Sequence, residues 1–95
     1  MAKGYWIVRV SVKDTERYPE YLAAARPAFE KYGANFIVRG GTFAAMEGEA
    51  RPRNVVVEFE NYETALACYR SSEYRQARAV RQKYADADFV IVEGA

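Results

Sequence analysis

Histidine is absent from the 95 residues, and this absence excludes more chemistry than any other feature of the composition. A Ser-His-Asp triad, a histidine-held zinc and a histidine-ligated haem all require the missing residue. Acid–base work would fall to Asp, Glu, Tyr, Lys or water. Cysteine occurs once, as Cys68, so no internal disulfide can form. Charge of one sign is also lacking, with 14 Lys+Arg against 13 Asp+Glu and no basic block. A nucleic-acid partner, which calls for clustered cations against phosphates, is therefore not expected. No apolar run approaches the roughly 20 residues that span a bilayer, so no membrane partner is expected either. Met1-Ala2-Lys3 leads into a strand pattern rather than a signal peptide, making a cytoplasmic address the default. Asp86 and Asp88 have the spacing of weak metal ligands, but no third or fourth ligand accompanies them. They read as loop and turn residues. No metal and no cofactor is expected.

What is present is apolar and aromatic. Hydrophobic residues make up 51% of the chain and aromatics 15%, including eight tyrosines. One domain over 1–95 accounts for this length, and a domain so short buries only about 60–65% of its unfolded surface. A thin core combined with amphipathic rings points to a partner surface.

Periodicity places the elements. Gly4 to Val12 alternates strictly, with Trp6, Val8, Val10 and Val12 on one face and Tyr5, Ile7, Arg9 and Ser11 on the other, as in a strand. Asp14 offers an N-cap, Pro19 falls in a first turn, and Tyr18, Tyr21, Leu22, Ala25, Phe29 and Tyr32 form a helical stripe ending at Gly33. Asn35–Arg39 reads as a second strand, with Gly40-Gly41 suggesting a bulge. Residues 46–53 read as a loop, and Asn54–Glu60 as a third strand. Asn61 caps a short helix, Ser71-Ser72 interrupts and recaps it, and Tyr74, Ala77, Val80 and Tyr84 continue inward. Phe89–Glu93 closes the chain as a strand. The order βαββαβ predicts a ferredoxin-like α+β fold. Its usual four-stranded antiparallel sheet has the order 4-1-3-2, with the helices on one face.

With the all-apolar side of the first strand turned to the helices, the far face receives Tyr5, Ile7, Arg9, Ile37, Arg39, Val56, Glu58, Ile91 and Glu93, provided no bulge shifts a register. Across the sheet the charges then alternate as Glu93, Arg9, Glu58, Arg39. The apolar residues among them are too many to leave bare, so a second copy packed there, as a homodimer, is expected.

Several segments, among them Gly4-Tyr5-Trp6-Ile7-Val8-Arg9-Val10, Phe36-Ile37-Val38-Arg39-Gly40-Gly41, Tyr69-Arg70-Ser71-Ser72-Glu73-Tyr74 and Val90-Ile91-Val92-Glu93-Gly94, resemble the family called domain of unknown function 1330, of the dimeric α+β barrel superfamily. The resemblance runs in order over nearly the whole chain. It implies a ferredoxin-like protomer whose open sheet face pairs with a second copy, and it implies no reaction. The wider superfamily includes cofactor-free monooxygenases, haem enzymes, lactone isomerases and ligand-sensing domains.

The residues offer several places for chemistry. Arg39 ahead of Gly40-Gly41 could take a carboxylate, with the glycines admitting a ligand to the backbone; the alternative is that Arg39 pairs with Glu58. The break around Tyr69, Ser72 and Tyr74 could present hydroxyls and free helix N–H groups, or be a plain kink with Ser72 as cap. Trp6 and Tyr5 could stack on a flat ligand or serve the packing, and Glu58 could be a base if desolvated. Cys68, with no histidine to activate it, reads as buried filler. The functions left are binding of a small organic acid by a homodimer, an enzyme of cofactor-free monooxygenase or isomerase type, or a dimer with no small ligand.

Overall fold

The computed structural model describes residues 2–95, so Met1, the first of the residues read against a signal peptide, lies outside the described residues. The elements follow as β1 (Gly4–Val12), α1 (Tyr18–Tyr32), β2 (Asn35–Arg39), β3 (Arg53–Phe59), α2 (Tyr62–Arg70), α3 (Ser72–Tyr84) and β4 (Ala85–Glu93). One antiparallel sheet has the order β2-β3-β1-β4, the order expected from the sequence. None of the helices among the described residues is long and apolar enough to cross a membrane.

Helix starts are set by local hydrogen bonding. Asp14 does not cap α1. Its Oδ1 accepts from the N–H groups of Glu16 and Arg17, both at 3.1 Å, which ties a turn, and the helix begins only at Tyr18. Asn61 does cap α2, accepting from Thr64 N at 2.8 Å. Ser71 rather than Ser72 caps α3, accepting from Tyr74 N at 3.1 Å. Gly33, at φ 68°, ends α1 in the left-handed conformation that a residue with a side chain resists.

Both long helices lie on the side of the sheet that carries Trp6, Val8, Val10, Val55, Val57 and Phe59, all buried. Ala25, Ala28, Ala65 and Ala77 are wholly buried, and their small side chains let helix backbones come close to the core. Trp6 is its hub. The rings of Phe29, Phe59, Tyr69, Tyr74 and Phe89 stand 4.9–6.0 Å from its ring, mostly edge-on, and its Nε1 donates to Ala65 O at 2.9 Å.

Two departures from the expected sheet matter for function. β4 begins at Ala85, four residues before the expected Phe89. The run Ala85-Asp86-Ala87-Asp88 looks like a loop by composition, yet it alternates with period two. Its alanines turn under the helices while Asp86 and Asp88 turn outward to Lys13 (3.6 Å) and Arg51 (2.9 Å). The two aspartates are thus strand residues held in ion pairs, not turn residues, and no metal-holding cluster occurs among the described residues.

Registers correct the far face. Residues directly opposite in an antiparallel pair share a face. Ile91 lies opposite Trp6 and Glu93 opposite Gly4, so both belong to the helix side, and Val90 and Val92 take the places expected for them. In β2 a bulge falls between Phe36 and Val38, earlier than the glycines. It sets Val38 opposite Val56 on the far face and Arg39 opposite Val55 on the helix side. The alternating row of four charges does not exist. An apolar row replaces it, running across all four strands as Val38, Val56, Ile7 and Val90.

Candidate functional site

The bulge at Ile37 creates the site by turning Arg39 toward α1. There a cleft of about 370 Å³ opens between the outer side of α1 and the β2–β3 edge of the sheet. That is the small end of the range for organic ligands. Its walls are Leu22, Phe29, Ala34 and Phe36. Arg26, Arg39 and Arg53 bring three guanidinium groups, and Glu30 brings the single carboxylate. None of the three arginines forms an ion pair with a carboxylate among the described residues. Arg39 rests over the Phe36 ring at 4.2 Å, which holds its flat fork beside the opening. Gly40, at φ 64°, backs onto Arg53, and a Cβ there would sit 2.9 Å from Arg53 Nη1.

The cleft continues inward. Leu22, Phe29, Phe36 and Arg53 also line a smaller space of about 30 Å³ above Trp6, Val8, Val57 and Tyr21, and Arg81 of α3 forms its far side. Arg81 is only 6% exposed. Its Nη1 donates to the Tyr74 hydroxyl at 2.8 Å, which lies 2.8 Å from the Tyr21 hydroxyl. The ring faces of Phe89 and Tyr21, at 5.4 and 5.9 Å, add attraction for the cation. Burial pushes the phenols of Tyr74, Tyr21 and Tyr18 above the ordinary tyrosine range. These hydroxyls therefore act as neutral hydrogen-bonding groups at neutral pH.

The other expected site residues are dispersed. Glu58 lies on the opposite face of the sheet from Arg39 and accepts from Tyr5 Oη at 3.1 Å, so the Arg39–Glu58 pair does not form. Trp6 is 1% exposed and its indole N–H is occupied, so it is core and not a stacking surface. The break between α2 and α3 is closed. Ser71 Oγ bridges Cys68 O and Tyr74 N, Ser72 turns outward to Glu73, Tyr69 packs on Trp6, and Tyr74 is fully buried. Gly41 lies in the open. Cys68 is buried, and burial pushes its thiol up to about 12.

Sequence reasoning missed Arg26, Arg53 and Arg81. Arg81 had a visible signal, because it falls on the inward stripe Tyr74-Ala77-Arg81-Tyr84, where a charge is out of place. Arg26 sits one turn from both Leu22 and Glu30 on the rim of the apolar stripe. Arg53 looked like loop and is the first residue of β3.

The far face is different in kind. Ile7, Val38, Val90 and Val92 remain 40–58% exposed, with Ile37 beside them at 50%. Arg9, bonded to Glu49 O, and Arg51, reaching Ser11 Oγ (3.0 Å) and Asp88, fasten the loop before β3 over one end of this face.

Among solved structures, the RPA0582 protein of unknown function from Rhodopseudomonas palustris is similar at 18% identity and a TM-score of 0.78, over 99% of this chain and 83% of that one. SnoaB, a cofactor-independent oxygenase from Streptomyces nogalater, is similar at 7% identity and a TM-score of 0.66, over 97% and 92%. A dimeric protein of unknown function and ferredoxin-like fold from Bacteroides fragilis matches at 15% and 0.56, over 96% and 95%. At these identities the likeness is one of fold. No curated protein matches the chain. The family model described as Domain of unknown function (DUF1330) matches residues 3–95, and over that span the chain belongs to this family.

Proposed function

We propose that the protein binds a small flat organic acid in the cleft between α1 and β2, as a cytoplasmic homodimer paired through the far sheet face. The observation that carries the binding is the excess of cations in an apolar cleft, with Arg26, Arg39 and Arg53 against Glu30 among Leu22, Phe29 and Phe36. Such walls suit an aromatic or alicyclic body, and guanidinium forks suit a carboxylate. The test is calorimetric titration with 1-naphthoate and its uncharged counterpart 1-naphthylmethanol. The acid is expected to bind at least tenfold tighter than the alcohol, and a triple Arg26→Ala/Arg39→Ala/Arg53→Ala variant should lose that preference. Equal affinity for acid and alcohol would refute the proposal.

Pairing is supported by the row Val38, Val56, Ile7 and Val90, an apolar strip too continuous to suit water. The likeness to a dimeric ferredoxin-like protein favours a second copy as its cover. An oxygenase working without a cofactor is the alternative, favoured by the likeness to SnoaB and by Glu30, a carboxylate at the cleft that could accept a proton. Oxygen uptake with dihydroxynaphthalenes, lost in Glu30→Gln, would turn the binding site into an active site.

A further inference from the structure

Arg81 is a buried cation without a buried anion. Its guanidinium is offset by the Tyr74 hydroxyl, by two ring faces and by its place in the last turn of α3, where the helix end carries partial negative charge. None of these is a full charge. No carboxylate pairs with Arg81 or with Arg53 among the described residues. Both residues line the same inner space, and in both the Nε is buried with no hydrogen-bond partner. Two guanidiniums facing one small space, each with an idle N–H, ordinarily mark an anion's place, because an enclosed charge is costly unless it is paired.

We infer that Arg53 and Arg81 form an inner anion seat, which takes the carboxylate head of a monoanionic acid while its apolar body fills the outer cleft. The ligand's body depends on the cleft binding proposed above; the seat itself does not. The inner space of about 30 Å³ has room for a head group and no more, and Leu22, Phe29 and Phe36 connect it to the larger volume. The division of labour follows from exposure. Arg39 is exposed and can draw an acid in from solvent, while Arg81 is enclosed, where a charge-assisted hydrogen bond is strongest.

Formate tests the seat alone, being a carboxylate with almost no body. At constant ionic strength, formate is expected to raise the melting temperature of the wild-type protein in a saturable way, with an apparent affinity at least tenfold weaker in Arg81→Met. Arg53→Met, altered at the rim of the same space, should show the same loss and guards against a folding defect in the first variant. Arg81→Lys should keep part of the response. No saturable response in the wild type, or the same response in both methionine variants, overturns the seat. A formate response without naphthoate binding keeps the seat and rejects the cleft. Naphthoate binding that is sensitive to Arg39 but indifferent to Arg81 does the reverse.

Discussion

Replacing Ile7 by lysine separates the pairing surface from the stability of the single chain. Ile7 sits in the middle of the apolar row, opposite Val56 on one side and Val90 on the other, and is 40% exposed in the protomer. In a lone chain a lysine there can lay its stem over the valines and keep its ammonium in water. The cost should stay near 1 kcal/mol, the usual scale of a point substitution. In a pair the ammonium is covered. Its same-strand neighbour Arg9 repels it, and Glu58, the acid diagonal to it, is engaged by Tyr5. Enclosing an unpaired charge costs several kcal/mol, and even about 2–3 kcal/mol after partial escape counts twice in a symmetric pair. A total of about 4–6 kcal/mol weakens association by roughly 10³–10⁴-fold. Light scattering at micromolar concentration should then give twice 10.8 kDa for the wild type and 10.8 kDa for Ile7→Lys, with melting temperatures referred to equal monomer states. Either a wild-type monomer or an Ile7→Lys protein of unchanged mass would refute the pairing through this face.

Two further outcomes test the fold around the site. Gly4→Ala would place a Cβ against Asn61 O and 2.7 Å from Tyr62 Cα, both backbone atoms of the α2 start. Urea unfolding followed by Trp6 fluorescence should show a loss of about 1–3 kcal/mol, the usual cost of overpacking, and a change under 0.5 kcal/mol would contradict the close approach. Stability should also fall as pH rises from about 9 toward about 12, because the Cys68 thiol releases its proton near 9 when unfolded and near 12 when folded. The raised tyrosines Tyr21 and Tyr74 act in the same direction above pH 10. Cys68→Ala should flatten the first part of that decline, and an unchanged profile would remove the thiol as its source.

The fold was legible because alternation in Gly4–Val12 and Asn54–Glu60 and the stripes of α1 and α3 are strong periodic signals, and two crossovers leave few topologies. Face assignment failed where one residue decided it. A bulge adds a residue to β2 without any compositional mark, so Ile37 gives no warning that Val38 and Arg39 exchange sides. Ile91 and Glu93 failed differently, since β4 alternates apolar residues on both faces and only pairing with β1 sets its parity. The candidate site was half legible. Arg39 and Gly40 point to it from sequence, whereas Arg53 and Arg81 lie 14 and 42 positions beyond Arg39 and meet only through the tertiary fold.

The bulge carries a thermodynamic consequence. Val38 and Arg39 are consecutive residues of an edge strand, one in the apolar row and the other in the cleft. A partner pressing on one side and a ligand drawing on the other, as proposed above, would act on the same two peptide units, held from one side only by β3. If dimerisation changes acid affinity by some factor, bound acid must change the dimerisation constant by the same factor. With both in place, a single extra residue would make the thickness of one strand the whole distance between two equilibria.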